Sequence, residues 1–473
     1  MALLLGLLTA LCSAQAPAPE GLEARIEAKL AECSGRPGFV GASVAVVDGG
    51  KIVFAKGTGK ATLGKERAVR PEDRFSIGSI TKQFTVACAL KLVEEGKLSL
   101  DDPVSKYVSG VTGGDRITLR QLLGHQSGLR DYYPLDYNDR EMSRPTTPAR
   151  IVAKYGAMPL DFEPGTRWSY SNTGYTVMGL AIEKVAHQPL ARVMRDRIFR
   201  PLGLGHTSFE VRPQRARGVV SGYSTLGLDG PEKAPGEGDQ WCGAAGAIVT
   251  TATDLARWDV ALMAGKALRP ASMAEMTRSG TLASGERTNY GLGLFVRTAG
   301  GAPCWEHSGG TDGFVSENLL LPERKAAVIV LTNGGQDDPG TVAWSVVDAL
   351  TEGAVKGFDP KSPSTSAPST LPTIQGPSPE IATRDLLVML AKGAVDESTL
   401  TDDFRAYLTP ARRQSIVKGL KGRGALGKIE TLRLRERGGM QVATLSIGFG
   451  GTAVTALLYR ETNGRIAELF ILG

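Results

Sequence analysis

Ser79-Ile80-Thr81-Lys82 opens an apolar run, Phe84-Thr85-Val86-Ala87-Cys88-Ala89-Leu90-Lys91-Leu92-Val93, and its reading decides the fold. The apolar residues fall almost all round a helix, which predicts a buried, central helix stopping at Gly96. Positions 79 and 82 are neighbours on one helical face. A serine hydroxyl is a poor nucleophile at neutral pH, and a lysine three residues on can supply the base it needs. The first-turn amides of a helix stay unpaired and can help hold a developing oxyanion.

The tetrad alone says little, since about one chance match is expected in a chain of this length. Ser415-Ile416-Val417-Lys418 is such a match. It lies among Arg412, Arg413, Gln414 and Lys421 and reads as the solvated face of a short amphipathic helix. Ser79 differs by its companions. Tyr170-Ser171-Asn172 precedes a second apolar helical run, Thr173 to Ile182, so Tyr170 and Asn172 can point from a loop into one cleft. A phenol beside a lysine ammonium is expected to have a lowered pKa and to shuttle a proton. An asparagine can bond both the lysine and a substrate amide. His307-Ser308-Gly309-Gly310 follows the strand-like Cys304-Trp305-Glu306, and its glycines allow close approach of a ligand or backbone. Taken singly, the tyrosine pair reads as a loop aromatic beside a cap, and the histidine as a partly buried edge residue.

Ser-x-x-Lys, Tyr-x-Asn and His-x-Gly in this order resemble the serine β-lactamase and penicillin-binding-protein superfamily. More narrowly, the chain is similar to the branch holding class C β-lactamases, D-alanyl-D-alanine carboxypeptidases, D-aminopeptidases and related esterases. Arg74 to Gly78, Ile117 to Leu129, Gly243 to Gly246, Thr250 to Leu255 and Tyr290 to Gly293 carry the same likeness. It covers roughly residues 20–356. The resemblance implies Ser79 as acyl-enzyme nucleophile, Lys82 as acylation base and Tyr170 as the group passing a proton to the leaving atom. It further implies Asn172, His307, Ser308 and Gly309 as substrate contacts, and the backbone of Ser79 and Gly310 as oxyanion hole. Class C β-lactamases carry Lys-Thr-Gly at the third motif. A neutral histidine in place of that cation lowers the β-lactamase reading and favours a D-amino-acid peptidase or D,D-carboxypeptidase, with an esterase next. The rival of another class is a non-catalytic penicillin-binding pseudoenzyme.

Other candidates carry less. His125 is expected in a packing or turn role, and His187 and His206 at the surface. No Gly-x-Ser-x-Gly, His-Glu-x-x-His, Cys-x-x-Cys or Walker lysine occurs, so no cofactor or metal is implied. The formal net charge of +6 is diffuse. It argues against nucleic-acid binding and is compatible with an anionic cell envelope. The expected partner is a small-molecule or peptide substrate, and the sequence is silent on oligomerisation. Met1 to Leu11 is apolar and is followed by Ser13-Ala14-Gln15-Ala16, which reads as an export signal cleaved after Ala16, for a periplasmic or extracellular protein. It lacks the usual leading Lys or Arg. Cys88 reads as a buried helix residue, and a Cys242–Cys304 bridge is one possibility for the remaining thiols.

The expected fold is α+β and β-lactamase/transpeptidase-like. An antiparallel sheet joining the first and last strands of residues 20–356 is flanked by helices, with a helical lobe at about 116–284. Asp131 to Thr147, with Tyr132, Tyr133 and Tyr137, reads either as a substrate-facing loop or as an exposed connection. Residues 357–379, rich in Pro, Ser and Thr, read as a flexible linker. Residues 380–473 read as a small cystatin- or NTF2-like α+β domain without a catalytic constellation, its hairpin marked by Asn463-Gly464.

Overall fold

The computed structural model describes residues 21–35, 38–228, 230–335, 337–353, 355 and 371–472. The expected export signal and residues 357–370 of the expected linker lie outside them. The Leu22, Ile26, Leu30 repeat forms α1 (Leu22–Ser34). A hairpin follows, β1 (Gly41–Asp48) and β2 (Lys51–Gly59), and Gly49 and Gly50 both take the positive φ its turn requires. Then come α2 (Thr81–Glu94), α3 (Asn172–Ala186), α4 (Ala252–Met263), β3 (Phe295–Ala299), β4 (Ala302–Thr311), β5 (Phe314–Leu321), β6 (Ala326–Thr332) and α5 (Pro339–Thr351).

The six strands form one antiparallel sheet in the order β2-β1-β6-β5-β4-β3, so the first segment pairs with the last, with Val44 opposite Val330. Burial on both faces explains why β1 and β6 are apolar along most of their length. Val44, Val46, Val328 and Val330 face α1 and α5. Ala45, Val47, Ile329 and Leu331 face the core shared with α2 and α4. The helical lobe lies across the cleft. The short strand Ile248–Thr250 pairs with Phe75–Ser76 and ties that lobe to the approach to α2.

The C-terminal domain carries α6 (Pro379–Ala391), α7 (Asp402–Tyr407) and α8 (Pro410–Arg423). Its sheet is a meander of β7 (Leu426–Arg437), β8 (Met440–Phe449), β9 (Thr452–Arg460) and β10 (Ile466–Ile471). Ala443, Leu445 and Ile447 pack one sheet face onto Leu386, Leu390, Phe404 and Ile416 of the helices. The domain is also fastened to the part of the chain before it. Tyr137 donates its hydroxyl to Ala467 O at 3.0 Å, Ile471 N donates to Leu226 O at 2.9 Å, and Arg412 pairs with Glu232 at 2.7 Å. The tyrosine-rich loop is therefore no exposed connection. Tyr132 is buried against Trp241, Tyr137 joins the domains, and Tyr133 lines the cleft.

The Cys242–Cys304 bridge is not formed. Cys88, Cys242 and Cys304 are free thiols, and all three are buried, as is Cys33. Cys304 sits in the core between sheet and terminal helices, whereas Cys242 belongs to the opposite lobe beside the helical turn Gly243–Gly246. Cys88 is buried in α2, where loss of solvent pushes its thiol up to about 12.

Candidate active site

The site begins with two backbones pressed together. Ser79 lies in a single 3₁₀ turn, Gly78–Ile80, that runs directly into α2. Gly78 has φ +47°, and a Cβ there would lie 2.6 Å from Gly310 N. A Cβ on Gly309 would lie 1.9 Å from Ile77 O. Only glycines let β4 and the turn that carries Ser79 meet at this distance. Ser316 Oγ on the neighbouring strand fastens the contact by donating to Ile77 O at 3.1 Å. The other polar residues of the helix start are also explained. Thr81 Oγ1 accepts from Ile248 N at 3.1 Å, and Thr85 Oγ1 donates to Ala244 O at 2.7 Å.

Lys82 is fully buried. Its Nζ lies 3.0 Å from Ser79 Oγ, 2.7 Å from Asn172 Oδ1 and 3.0 Å from Ala245 O. Burial holds its pKa well below the ordinary lysine value, with Asp131 acting in the opposite sense and Arg437 adding to the fall. Two of the three neighbours accept only. They take the two hydrogens of a neutral amine and leave its lone pair toward the Ser79 hydroxyl, the arrangement of a general base.

Asn172 is the first residue of α3 and not a loop residue, and Ser171 is the helix cap, accepting from Gly174 N at 3.3 Å. Asn172 Nδ2 donates to Asp131 Oδ1 at 2.9 Å, and Asn172 N donates to the same oxygen at 3.1 Å. The carboxylate thereby fixes which end of the amide faces Lys82. Its second oxygen, Oδ2, lies 3.4 Å from Arg437 of β7. Sequence reading missed Asp131, whose only trace is a lone acid after Gly128-Leu129-Arg130.

Tyr170 stands over Lys82, with Nζ 4.8 Å from its ring centre, and its hydroxyl is hydrogen-bonded with Ser79. The expected lowering of its pKa is not found. Desolvation raises the phenol above its ordinary value and outweighs its bond to Ser79 and the nearby Arg437. The amine whose charge was to lower it is itself depressed by burial. His125 packs against Tyr170 with ring centres 4.2 Å apart and φ +58°, which is a turn and packing role. Its Nδ1 accepts from Ser171 N at 3.1 Å. His187 and His206 are exposed.

His307 lies in the cleft wall. Its Nδ1 is 2.5 Å from the carbonyl of Ser308 and must carry the proton, so Nε2 accepts from the Tyr290 hydroxyl at 3.0 Å. Burial depresses its pKa to about 3, helped by the charge of Lys82. Both ring nitrogens are thus occupied within the protein, and His307 offers a substrate its ring and no free polar atom. Ser308 and Gly310 are the exposed positions of this stretch.

Ser79, Tyr170, His307, Ser308, Gly309 and Gly310 share one cavity of about 570 Å³. The C-terminal domain closes its far side with Arg433, Arg435, Glu436, Arg437, Leu457 and Phe470. Sequence reading also missed this wall. Its signal is the alternation Arg433-Leu434-Arg435-Glu436-Arg437, which puts three guanidiniums on one face of a strand. Ser415 is remote from the cleft, where its hydroxyl accepts from Gly230 N at 3.4 Å.

A family model described as "Beta-lactamase" matches residues 24–351. Protein flp of Staphylococcus aureus is 29% identical over 302 residues, which are 62% of this chain and 59% of that protein. The chain thus spans about three fifths of the length of these curated relatives. A D-stereospecific amidohydrolase from Streptomyces superposes with a TM-score of 0.59 at 29% identity, covering 69% of this chain and 98% of that one. An octameric penicillin-binding protein homologue from Pyrococcus abyssi superposes with a TM-score of 0.61 at 23% identity, covering 94% and 98%.

Proposed function

The chain belongs to the beta-lactamase family, and on that premise we propose that it is a serine hydrolase that cleaves amide bonds of D-amino-acid peptides or amides through an acyl-enzyme on Ser79. One observation carries the reading: the Lys82 amine, buried and turned at Ser79 Oγ by two acceptors that take its own hydrogens. In this reading Lys82 takes the Ser79 proton as Oγ attacks the carbonyl carbon. The oxyanion is received by the N–H groups of Ser79 and Gly310. The proton passes by way of the Tyr170 hydroxyl to the leaving nitrogen, and the C–N bond breaks. Water or an acceptor amine then enters by the reverse proton path and frees Ser79. Asn172 keeps Lys82 in place and faces the substrate amide. Ser308 and the edge of β4 at Gly309 and Gly310 hold the acyl chain extended.

The 29% likeness to a D-stereospecific amidohydrolase supports an amide substrate of D configuration. The neutral, fully bonded His307 speaks against a β-lactamase that needs a cation at that position. The reading places the enzyme outside the membrane, led there by residues 1–16 as an export signal.

A fluorophosphonate or fluorescent penicillin should label wild type and not Ser79→Ala; label retained by that variant would remove Ser79 as nucleophile. Rates on matched D- and L-aminoacyl amides, a p-nitrophenyl ester and nitrocefin then rank the substrates. The proposal expects the D-amide to lead, and an ester leading with no D preference would replace it by an esterase.

A further inference from the structure

The cleft wall contributed by the C-terminal domain is unusual in its charge. Arg433, Arg435 and Arg437 lie on alternate ladder positions of β7, opposite Thr444, Val442 and Met440, so their side chains share one face of the sheet. That face turns away from the domain's own helices and lines the cavity that holds Ser79. Arg437 is committed, to Asp131 and to Tyr133 O at 3.0 Å. The side chains of Arg433 and Arg435 make no hydrogen bond or ion pair among the described residues, although both line the cavity.

The other charges in the cavity leave the side chains of these two without an anion in direct hydrogen-bonded contact. Arg297 is paired with Glu306 at 3.0 Å. Glu436 accepts from Gly439 N at 2.7 Å and from Ser169 Oγ at 3.4 Å. Arg437 and Arg435 both act on the Asp136 carboxyl, but burial outweighs them and pushes it up. Asp337 is pushed up to about 7, also by burial. Arg433 is itself depressed, by desolvation and by Arg435 beside it, as two neighbouring cations without an anion should be. Guanidiniums in this state are built to take a carboxylate, which they can hold with two parallel bonds.

We propose that Arg433 and Arg435 form a carboxylate-binding subsite on the leaving-group side of Ser79, so that the enzyme prefers substrates whose departing fragment carries a free carboxylate. The side follows from Arg437. Its guanidinium carbon lies 5.8 Å from the ring centre of Tyr170, the residue that serves the leaving atom in the function proposed above, and on that assignment this inference rests. Along a strand, alternate residues step outward by about 7 Å. Arg435 and then Arg433 therefore follow the departing fragment away from the bond being cut. The subsite also supplies the cation that position 307 lacks. The substrate class is an acyl-D-amino acid joined to an amino acid or hydroxy acid with its carboxylate free.

The test uses thiolesters, which any serine hydrolase of this type can cleave and which report thiol release directly. An acyl-D-alanyl thioglycolate is compared with its thioglycolamide, identical except for the charge. Wild type should favour the carboxylate in kcat/KM by tenfold or more, chiefly through KM. In Arg433→Ala/Arg435→Ala the ratio of the two kcat/KM values should fall to about one. Arg433→Lys/Arg435→Lys should keep a preference, since the charge remains. A wild-type ratio near one, or an unchanged ratio in the alanine variant, overturns the subsite. The acyl-L-alanyl pair, run in parallel, tests the D preference separately, so either reading can fail while the other stands.

Discussion

The Arg437 guanidinium lies 3.4 Å from the Asp131 carboxylate, 306 positions earlier in the chain, and this pair joins the C-terminal domain to the buried Lys82 through Asn172. Asp131 is wholly buried at its side chain, and it orients the Asn172 amide that contacts Lys82. Removing one partner of a buried pair leaves the other uncompensated and costs about 3–5 kcal/mol. Arg437→Ala should therefore lower the melting temperature and reduce kcat by more than tenfold. Asp131→Asn/Arg437→Met, with no charge left unpaired, should recover stability but not full rate. Equal stability of the Arg437→Ala and wild-type proteins would show that the pair does not hold the domains.

Lys82 should set the pH dependence. Its pKa is lowered by burial, and only the neutral amine can accept a proton from Ser79. Below that pKa the amine is protonated and kcat/KM should rise with pH. Above it the rate should level off, well under the ordinary lysine range. Lys82→Ala should lose about 10²–10⁴-fold in rate, the worth of a positioned general base. Lys82→Arg should lose as much, because a guanidinium keeps the charge but does not give up its proton. Substantial activity in Lys82→Arg would mean that position 82 serves as a cation and not as a base.

The parts of this molecule readable from sequence are those whose cause is local. The helix opened by Ser79, the α1 repeat, the β1–β2 turn at Gly49-Gly50 and the Asn463-Gly464 hairpin all follow from residues within a few positions of one another. The pairing of β1 with β6 came from the resemblance, since strand partners 286 positions apart, such as Val44 and Val330, leave no local trace. Asp131 escaped notice for the same reason: its meaning lies in Asn172 and Arg437. Tyr170 was misjudged because the sequence shows an ammonium nearby but not the burial that depresses it. The arginine row on β7 could have been found, for three like charges on one strand face demand an anion or solvent. What the sequence withheld was the surface that this face covers.

The two glycines of the third motif should respond oppositely to a methyl group. A Cβ on Gly309 meets Ile77 O at 1.9 Å, so Gly309→Ala must push β4 off the Ser79 turn. Such overpacking costs about 1–3 kcal/mol, and it should lower kcat more than KM by spreading the Ser79 and Gly310 N–H groups proposed to receive the oxyanion. A Cβ on Gly310 meets nothing within 4 Å, so Gly310→Ala should melt like wild type. Thermal melts of the two variants check this, and similar losses in both would mean that the contact at Ile77 O is not what requires glycine.

His307 should leave its mark on stability and not on the pH profile of the rate. Its folded pKa of about 3 is far below the usual 6.5, so the fold binds its proton more weakly than the unfolded chain does. The stability this represents is fully present above about pH 6.5 and is lost progressively as pH falls toward 3. Wild type should therefore lose stability relative to His307→Phe as the medium is acidified from pH 7 to pH 4. The slope of the difference should approach about 1.4 kcal/mol per pH unit. Asp312 and Asp337, both pushed up to about 7, pull the other way as pH rises, but they are common to both proteins and cancel in the difference. Urea titrations of the two proteins at several pH values measure it directly. A difference that does not vary with pH would mean that His307 titrates normally. In that case its Nε2 would be open to a substrate carboxylate after all, and the bond to Tyr290 would not be the one that holds it.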